Sequence, residues 1–359
     1  MLAPLRDYLR PEDPMSSPLL GTTKEHYFSR LSVDVHPDEP NFGELRWIIS
    51  EGMNVEYLLD VFTSVDANPK SVWDACARFM EHINWHKPRL VTLGPKVETL
   101  PDDHPSKAQC LHWLAWLFDS VGNQAERKRL FIHALELWRA QGNDYQVAQT
   151  LSELCDANQL IGLPKEGIRQ GKEASEIFER LGDTAKQADC LIELARSLHS
   201  DRQLDAAEEA VLHAIELLPE KGKQLNLCQS HHTLGIIYHS KGNPEKAIHH
   251  FEVALGIASS LSYNKELFWT HYCLAALFRA RGSLEDAHGH IQHAKSHAVD
   301  DVYNLARASQ LQALVWEEQH MLEGAKSEGL RALGMYENLG AADDVEDCRA
   351  ILRRIDRNA

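Results

Sequence analysis

The stretch that decides the fold is HHTLGIIYHSKGNPEKAIHHFEVALGIA, residues 231–258. In its first half, Leu234, Ile237 and Tyr238 follow the i, i+3, i+4 spacing of one apolar helix stripe, and Phe251 lies on a similar stripe in its second half. The intervening Gly-Asn-Pro supplies a helix stop, an N-cap and a proline suited to the first helical position. The sequence therefore predicts two amphipathic helices joined by a tight turn.

This pattern returns every forty residues. Glycines stand at positions 122, 162, 242 and 282, and Arg202 occupies the missing phase. A leucine followed by a small residue, and an alanine nineteen residues after that small residue, keep the same interval: Leu114, Leu154, Leu194, Leu234 and Leu274, with Ala134, Ala174, Ala214, Ala254 and Ala294. A sixth unit follows after thirty-eight residues, with Ala313, Ala325 and Ala332. Small side chains let paired helices approach closely, and such hairpins must stack to bury their apolar faces.

The order of leucine, small residue, aromatic residue and glycine, followed by Ala, Phe and Ala, resembles the tetratricopeptide repeat. The fourth unit matches most fully, whereas the first has Arg127 where alanine is usual and the second has Gly167 and Gly171 at unusual places. The resemblance implies an all-α, right-handed superhelical solenoid of about six antiparallel helical hairpins. The units are expected near 108–145, 148–185, 188–225, 228–265, 268–303 and 306–342, and the turn at Gly282-Ser283 should form a capping box with Asp286.

The flanks of this 106–342 array do not repeat. Residues 1–105 hold eleven of the fourteen prolines, so we expect an irregular helical region, with helices at Lys24–Val33, Val55–Val65 and Ser71–Trp85. The opening MLAPLRDYLRPEDP resembles the end of the winged-helix segment that precedes such repeats in fungal NACHT or NB-ARC NTPases, which suggests a remnant of that segment and a linker. Residues 343–359 are expected to form a C-terminal capping helix and tail.

Composition narrows the possible partners and the compartment. The 53 acidic residues exceed the 37 basic ones, and a formal charge of −16 repels nucleic acid. No apolar run is long enough for a membrane span, and the start lacks the apolar core of a signal peptide. The seven cysteines form no CxxC pair and lie within helical patterns, so we expect reduced core residues and a cytoplasmic protein.

Motifs for chemistry are missing, so we expect no enzyme, no cofactor and no metal. The sequence contains no P-loop, no HExxH helix and no GxSxG nucleophile elbow. Twenty histidines are unusual, and His290, His293 and His297 share a helix face at metal-ligand spacing. A solvent-facing histidine surface is the favoured interpretation over a metal site or a pH-responsive surface, because no Cys or carboxylate stands at ligand spacing.

The resemblance also indicates where a ligand binds, because in this family the first helix of each hairpin lines the concave face. The corresponding positions are His112, Trp116, Ser152, Asp156, Arg196, His199, His232, His239, Trp269, Tyr272 and Arg279. Such aromatic and basic residues suit capture of a peptide, with Arg196 and Arg279 as receivers of acidic groups. Alternatively, Trp116 and Tyr272 pack between neighbouring helices. The family's carboxylate clamp of Lys and Asn is not matched.

These observations favour a scaffold that binds a peptide or protein partner in the concave groove, as the sensor part of a signalling NTPase-type receptor. One alternative is a stand-alone regulatory fragment that docks on a separate NTPase chain. A His-based metalloenzyme is the least favoured hypothesis. The oligomeric state and the identity of the partner do not follow from the sequence.

Overall fold

The computed structural model describes residues 70–86, 90–119, 122–218, 224–298, 301–339 and 341–358, together with scattered residues between 27 and 63. The opening motif and most of the first expected helix lie outside these residues, whereas the described residues of the second, between 55 and 63, are helical. The chain divides into two compact units, Met1–Gly182 and Asp183–Ala359, which we call unit 1 and unit 2. The expected start of the repeats at residue 106 therefore falls inside unit 1.

From residue 70 onward, the described part of unit 1 contains two leading helices and two hairpins. Its helices are α1 (Lys70–His86), α2 (Gly94–Thr99), α3 (Lys107–Asp119), α4 (Gln124–Ala140), α5 (Asp144–Leu160) and α6 (Pro164–Leu181). Helix α1 spans the third expected helix and packs against α3. Helices α3 and α4 form one hairpin, and α5 and α6 form the next.

Unit 2 continues the pattern with four hairpins and a last helix. Its helices are α7 (Thr184–Ser200), α8 (Leu204–Leu217), α9 (Gln224–Ser240), α10 (Pro244–Leu261), α11 (Asn264–Ala280), α12 (Leu284–His297), α13 (Val302–Glu318), α14 (Leu322–Leu339) and α15 (Ala342–Asn358). Each odd-numbered helix from α7 to α13 pairs with the helix after it, and these first helices also contact one another. Helix α15 packs on α14 where a final helix was expected.

The small and apolar repeat positions form the core of each hairpin. The alanines at the forty-residue interval, from Ala134 to Ala294, are fully buried, and the matching leucines are at most 5% exposed. The described residues contain helices and turns and no strand. The prediction of an all-α chain of stacked helical hairpins is confirmed. None of the described helices is long and apolar enough to cross a bilayer.

The turns follow the residue chemistry read from the sequence. Asn243 caps α10 by accepting the backbone N–H of Lys246, and Pro244 takes the first helical position. Arg202, in the phase of the glycines, has the left-handed φ of 64° that Gly162 and Gly242 adopt at 76° and 73°. The prediction of a capping box at Ser283 is wrong, because the Ser283 side chain makes no cap hydrogen bond. Instead, the acidic residues in the first turn of α12 stabilise the helix by their interaction with the positive end of its dipole.

Candidate functional site

The first helices of unit 2 carry a continuous set of partly exposed polar and aromatic side chains. Trp269 and Tyr272 on α11 stand at the positions expected for ligand contact, and Arg307 on α13 stands thirty-eight residues after Trp269, at the equivalent place in the sixth hairpin. The apolar stripe of each first helix packs on its second helix, and the side of α7, α9, α11 and α13 that carries these residues is partly exposed, while Trp269 and Tyr272 also pack against the core of their hairpin. We call it the first-helix face.

Arg307 is surrounded by three aromatic rings, and we call this group the arginine cage. The guanidinium carbon lies 5.1 Å from the ring centre of Trp269, 5.9 Å from that of Tyr272 and 5.5 Å from that of Tyr303. Each ring attracts the cation through its negative face. Two helices contribute to the cage, α11 with two rings and α13 with Tyr303 and the arginine itself.

The guanidinium donors of Arg307 are unused within the described part of the chain, where no hydrogen bond or ion pair reaches them. Asp344 on α15 faces the same cluster but accepts a hydrogen bond from the hydroxyl of Tyr303, at 3.0 Å. Burial raises the pKa of Tyr272, and the charge of Arg307 opposes that rise. The cage therefore holds a positive charge whose hydrogen-bonding capacity is free.

The two arginines singled out from the sequence are already neutralised. Arg279 Nη2 lies 2.8 Å from an oxygen of Glu318, and its Nε donates to the same oxygen at 2.9 Å. Arg196 donates to Glu193 on its own helix at 2.8 Å. A ligand carboxylate would have to displace these partners. Neither residue offers a ready receiver for an acidic group.

Three histidines of the predicted set lie on the same face. His199 Nε2 lies 2.7 Å from the hydroxyl of Ser240, and desolvation lowers the pKa of His199. His232 Nδ1 lies 3.0 Å from the hydroxyl of Thr270, and desolvation followed by the charge of Arg196 lowers the pKa of His232 to about 3. His239 is exposed. The first two are neutral, hydrogen-bonded side chains that link neighbouring first helices.

The predicted residues of unit 1 are engaged in packing. His112 is 3% exposed, lies 5.3 Å from the rings of both Trp113 and Phe131, and has a pKa lowered to about 4 by burial and then by Arg127. Trp116 lies 6.2 Å from the ring of Phe131 and 4.9 Å from the guanidinium carbon of Arg127. Trp116 packs against the second helix of its hairpin and remains partly exposed.

Arg127 stands where the repeat pattern has alanine, and its ion pairs explain this departure. Its side chain is fully buried and donates to Asp156 at 2.8 Å and to Asp119 at 3.1 Å, with Glu153 at 3.9 Å. Asp156, an expected ligand-contact residue, is therefore a partner of Arg127, while the neighbouring Ser152 is partly exposed. Alanine at position 127 would leave these carboxylates without their cation.

His290, His293 and His297 on α12 contact the first helix of their own hairpin, and of these three only His293 is exposed, so the expected solvent-facing surface is observed only in part. The ring of His271 on α11 lies 5.0 Å from that of His293 and 5.3 Å from that of His290, and the Nδ1 atoms of His271 and His290 are 3.0 Å apart. Desolvation, then the neighbouring histidines, lowers the pKa of His271 to about 4. His231 and His250 form the same pair forty residues earlier. No three His, Cys, Asp or Glu side chains in the described ranges converge on a metal-binding position.

Sequence reasoning missed Arg307 and Tyr303. The interval from the fifth to the sixth unit is two residues shorter than the others, so forty residues counted forward from Trp269 lead to Ser309 rather than Arg307. The thirty-eight-residue interval that places Ala313 in phase with Ala275 also brings Arg307 into phase with Trp269. Applying the thirty-eight-residue interval to the sixth hairpin would have identified Arg307.

The described helices form stacked hairpins similar to those of tetratricopeptide repeat proteins. The tetratricopeptide repeat family model matches residues 191–260, which include hairpins of unit 2. A comparison with curated proteins gives no sequence match.

Solved structures share the arrangement of helices. A Rap protein complexed with Competence and Sporulation Factor has a TM-score of 0.61 at 11% identity, covering 95% of this chain and 98% of that chain. The Rap conjugation gene regulator of plasmid pLS20, in complex with the Phr* peptide, has a TM-score of 0.55 at 14% identity, covering 95% and 96%. A signal transduction ATPase with a tetratricopeptide repeat sensor, from Pyrococcus horikoshii, has a TM-score of 0.55 at 15% identity, covering 99% of this chain and 54% of that chain. At these identities the comparisons show the fold.

Proposed function

We propose that this chain is a protein-interaction scaffold that binds an extended peptide, or an extended segment of a partner protein, on the first-helix face of unit 2. The observation that carries this proposal is the arginine cage, where Trp269, Tyr272 and Tyr303 stand around Arg307 on adjacent first helices. Aromatic residues and arginine dominate the energy of protein interfaces because they bring large contact areas at low entropic cost.

Two of the similar structures support a peptide ligand. One was solved with Competence and Sporulation Factor and another with the Phr* peptide. A stack of helical hairpins presents its first helices side by side, so an extended chain can contact several of them in turn. On this chain, Arg196, His199, His232, His239 and Arg279 extend the same face beyond the cage and provide secondary polar contacts. His112 and Trp116 are assigned to packing in unit 1.

Binding is the whole of the proposed activity, without catalysis or a cofactor. The net charge of −16 opposes a nucleic acid as partner. Six of the seven cysteines are buried and all seven are free thiols, which fits a reducing compartment such as the cytoplasm.

A second, finer proposal concerns the setting of the scaffold. The resemblance of the opening segment to the end of the winged-helix segment of NACHT or NB-ARC NTPases, together with the shared fold of the Pyrococcus horikoshii ATPase, supports a sensor role in a signalling receptor. The NTPase would lie in the same gene product or in a separate chain on which this one docks. An in-frame Gly-Lys-Ser/Thr loop in the genomic sequence upstream of the codon for Met1 would favour the first arrangement over the second.

The binding proposal can be tested with short random peptides displayed on phage and selected on the full chain. We expect enriched peptides that bind a Trp269→Ala/Tyr303→Ala variant at least about tenfold more weakly than the wild type. Leu330→Ala is the matched control, because it truncates an exposed apolar side chain on α14, the second helix of the same hairpin as Tyr303. Absence of any enriched peptide, or equal binding to wild type and double variant, would count against the proposal.

A further inference from the structure

We infer that Arg307 anchors a carboxylate of the bound peptide. The inference rests on the proposed function and adds the chemistry of one ligand group. Three ring contacts hold the guanidinium at 5.1 to 5.9 Å, so the cation is already positioned before a ligand arrives. A positioned guanidinium loses little side-chain entropy on binding, which favours it as an anchor.

Among the described residues, Arg307 has no counter-ion, whereas the other two arginines of the first-helix face each have one. Arg279 is held by Glu318 and Arg196 by Glu193, both at 2.8 Å. Asp344, the carboxylate that faces the cage, accepts a hydrogen bond from the hydroxyl of Tyr303. In the described residues, the cage is therefore a cationic position of this face that remains open to an anion.

A carboxylate fits the donors of this position. Guanidinium presents planar N–H groups that match the two oxygens of a carboxylate, and such charge-assisted bonds are stronger than neutral ones. Trp269, Tyr272 and Tyr303 exclude water from part of the guanidinium, which strengthens a bond formed at its free N–H groups. The acidic protein as a whole repels anions, but charges beyond about 8 Å are screened at physiological salt, so the local contact decides. The cage thereby selects where along a peptide the acidic group must lie.

The carboxylate can belong to an Asp or Glu side chain or to the peptide C-terminus. Both sources offer the same two oxygens, and the position of the cage on the face does not distinguish them. Chemical synthesis of the enriched peptide separates them, since the C-terminal amide removes one source and replacement of each acid by its amide removes the other.

The experiment is a set of binding measurements on the peptide most enriched in selection on the wild-type chain, made as a free acid, as a C-terminal amide and with each Glu or Asp changed to Gln or Asn. We expect one of these changes to weaken binding to the wild type about tenfold or more, and Arg307→Gln to cause a similar loss. In the Arg307→Gln chain, the same peptide change should have little further effect, because the pair acts as a unit. Arg307→Lys keeps the charge and should retain part of the binding.

Arg331→Gln on α14 is the matched control, because it removes the same charge from a half-exposed arginine away from the face. Thermal unfolding of each variant verifies that it folds. The carboxylate anchor would be overturned if the losses from the peptide change and from Arg307→Gln were additive. It would also be overturned if the uncharged peptide bound within about twofold of the acidic one. In either case the binding proposal would stand. A chain that enriches no peptide at all overturns both.

Discussion

Gly235 on α9 faces the ring of Phe251 on α10 so closely that a Cβ at position 235 would lie 2.5 Å from Cε1 of Phe251. Two further ring atoms would be within 2.8 Å, so the contact involves the body of the ring rather than a flexible end. Without a shift of the ring or the helices, the fourth hairpin therefore accommodates only glycine at this position. The small residue after each repeat leucine sets how near the paired helices come.

Gly235→Ala is expected to destabilise unit 2 by about 1 to 3 kcal/mol, because overpacking outweighs the roughly 1 kcal/mol that alanine gains over glycine in a helix. Gly256→Ala on α10 is the control, since no atom lies within 4 Å of a Cβ added there. That substitution should stabilise by about 0.5 to 1 kcal/mol. Urea unfolding measures both; equal effects of the two changes would show that the close approach is not a packing constraint.

Arg202→Gly is expected to stabilise the chain. Arg202 adopts a φ of 64°, which costs a side chain about 1 to 2 kcal/mol relative to glycine. The gain should be about 0.5 to 1 kcal/mol once the greater freedom of glycine in the unfolded chain is included. Gly242→Ala, at the same phase with a φ of 73°, should cause a loss of similar size. A thermal melt in which Arg202→Gly unfolds earlier than the wild type would contradict this account of the turns.

Arg127→Met is expected to destabilise unit 1 by about 3 to 5 kcal/mol, because it leaves Asp119, Glu153 and Asp156 together without their buried cation. The control is Arg139→Met, which breaks an ion pair to Glu173 in which the arginine is 50% exposed. Exposed pairs contribute at most about 1 kcal/mol. Chemical unfolding compares the two variants, and a loss for Arg127→Met no greater than that of the control would contradict a structural role for this cluster.

Stability is expected to fall as the pH is lowered from about 6.5 toward 4. Burial lowers the pKa of His112 from 6.5 to about 4 in the folded state. Between these pH values the His112 side chain is therefore protonated in the unfolded chain but neutral in the folded chain, which favours unfolding. The loss approaches about 1.4 kcal/mol per pH unit for one such histidine. His112→Phe should remove that part of the slope, and exposed His213→Gln should not. Unfolding free energies measured across this pH range would contradict the assignment if both variants kept the wild-type slope.

The hairpins are predictable from the sequence because each depends on residues that are close along the chain. Asn243 and Pro244 form their turn locally, and Leu234 and Ala254 identify their positions by the interval alone. Arg202 shows the strength of this logic, since the phase of the glycines predicts a left-handed turn even where the residue is not glycine.

The site is less predictable because the availability of a side chain depends on distant partners. Arg279 is paired with Glu318, thirty-nine residues away, and Arg127 reaches Asp156 across twenty-nine residues. The position of a residue in the repeat pattern predicts which side of the helix it lies on, but it does not predict which side chains it contacts there. Arg307 was missed for a different reason, namely that the last repeat interval is shorter by two residues.

The most direct test of peptide binding on the first-helix face is fluorine NMR of the chain labelled with fluorotryptophan. Trp269 can be assigned among the eight tryptophans by the loss of one resonance in Trp269→Phe. On addition of the peptide enriched by selection, the account predicts a shift of the Trp269 resonance, while those of Trp73 and Trp138, buried in unit 1, stay in place. A bound peptide that leaves the Trp269 resonance unchanged and shifts Trp316, which stacks on His288 of a second helix, would contradict it.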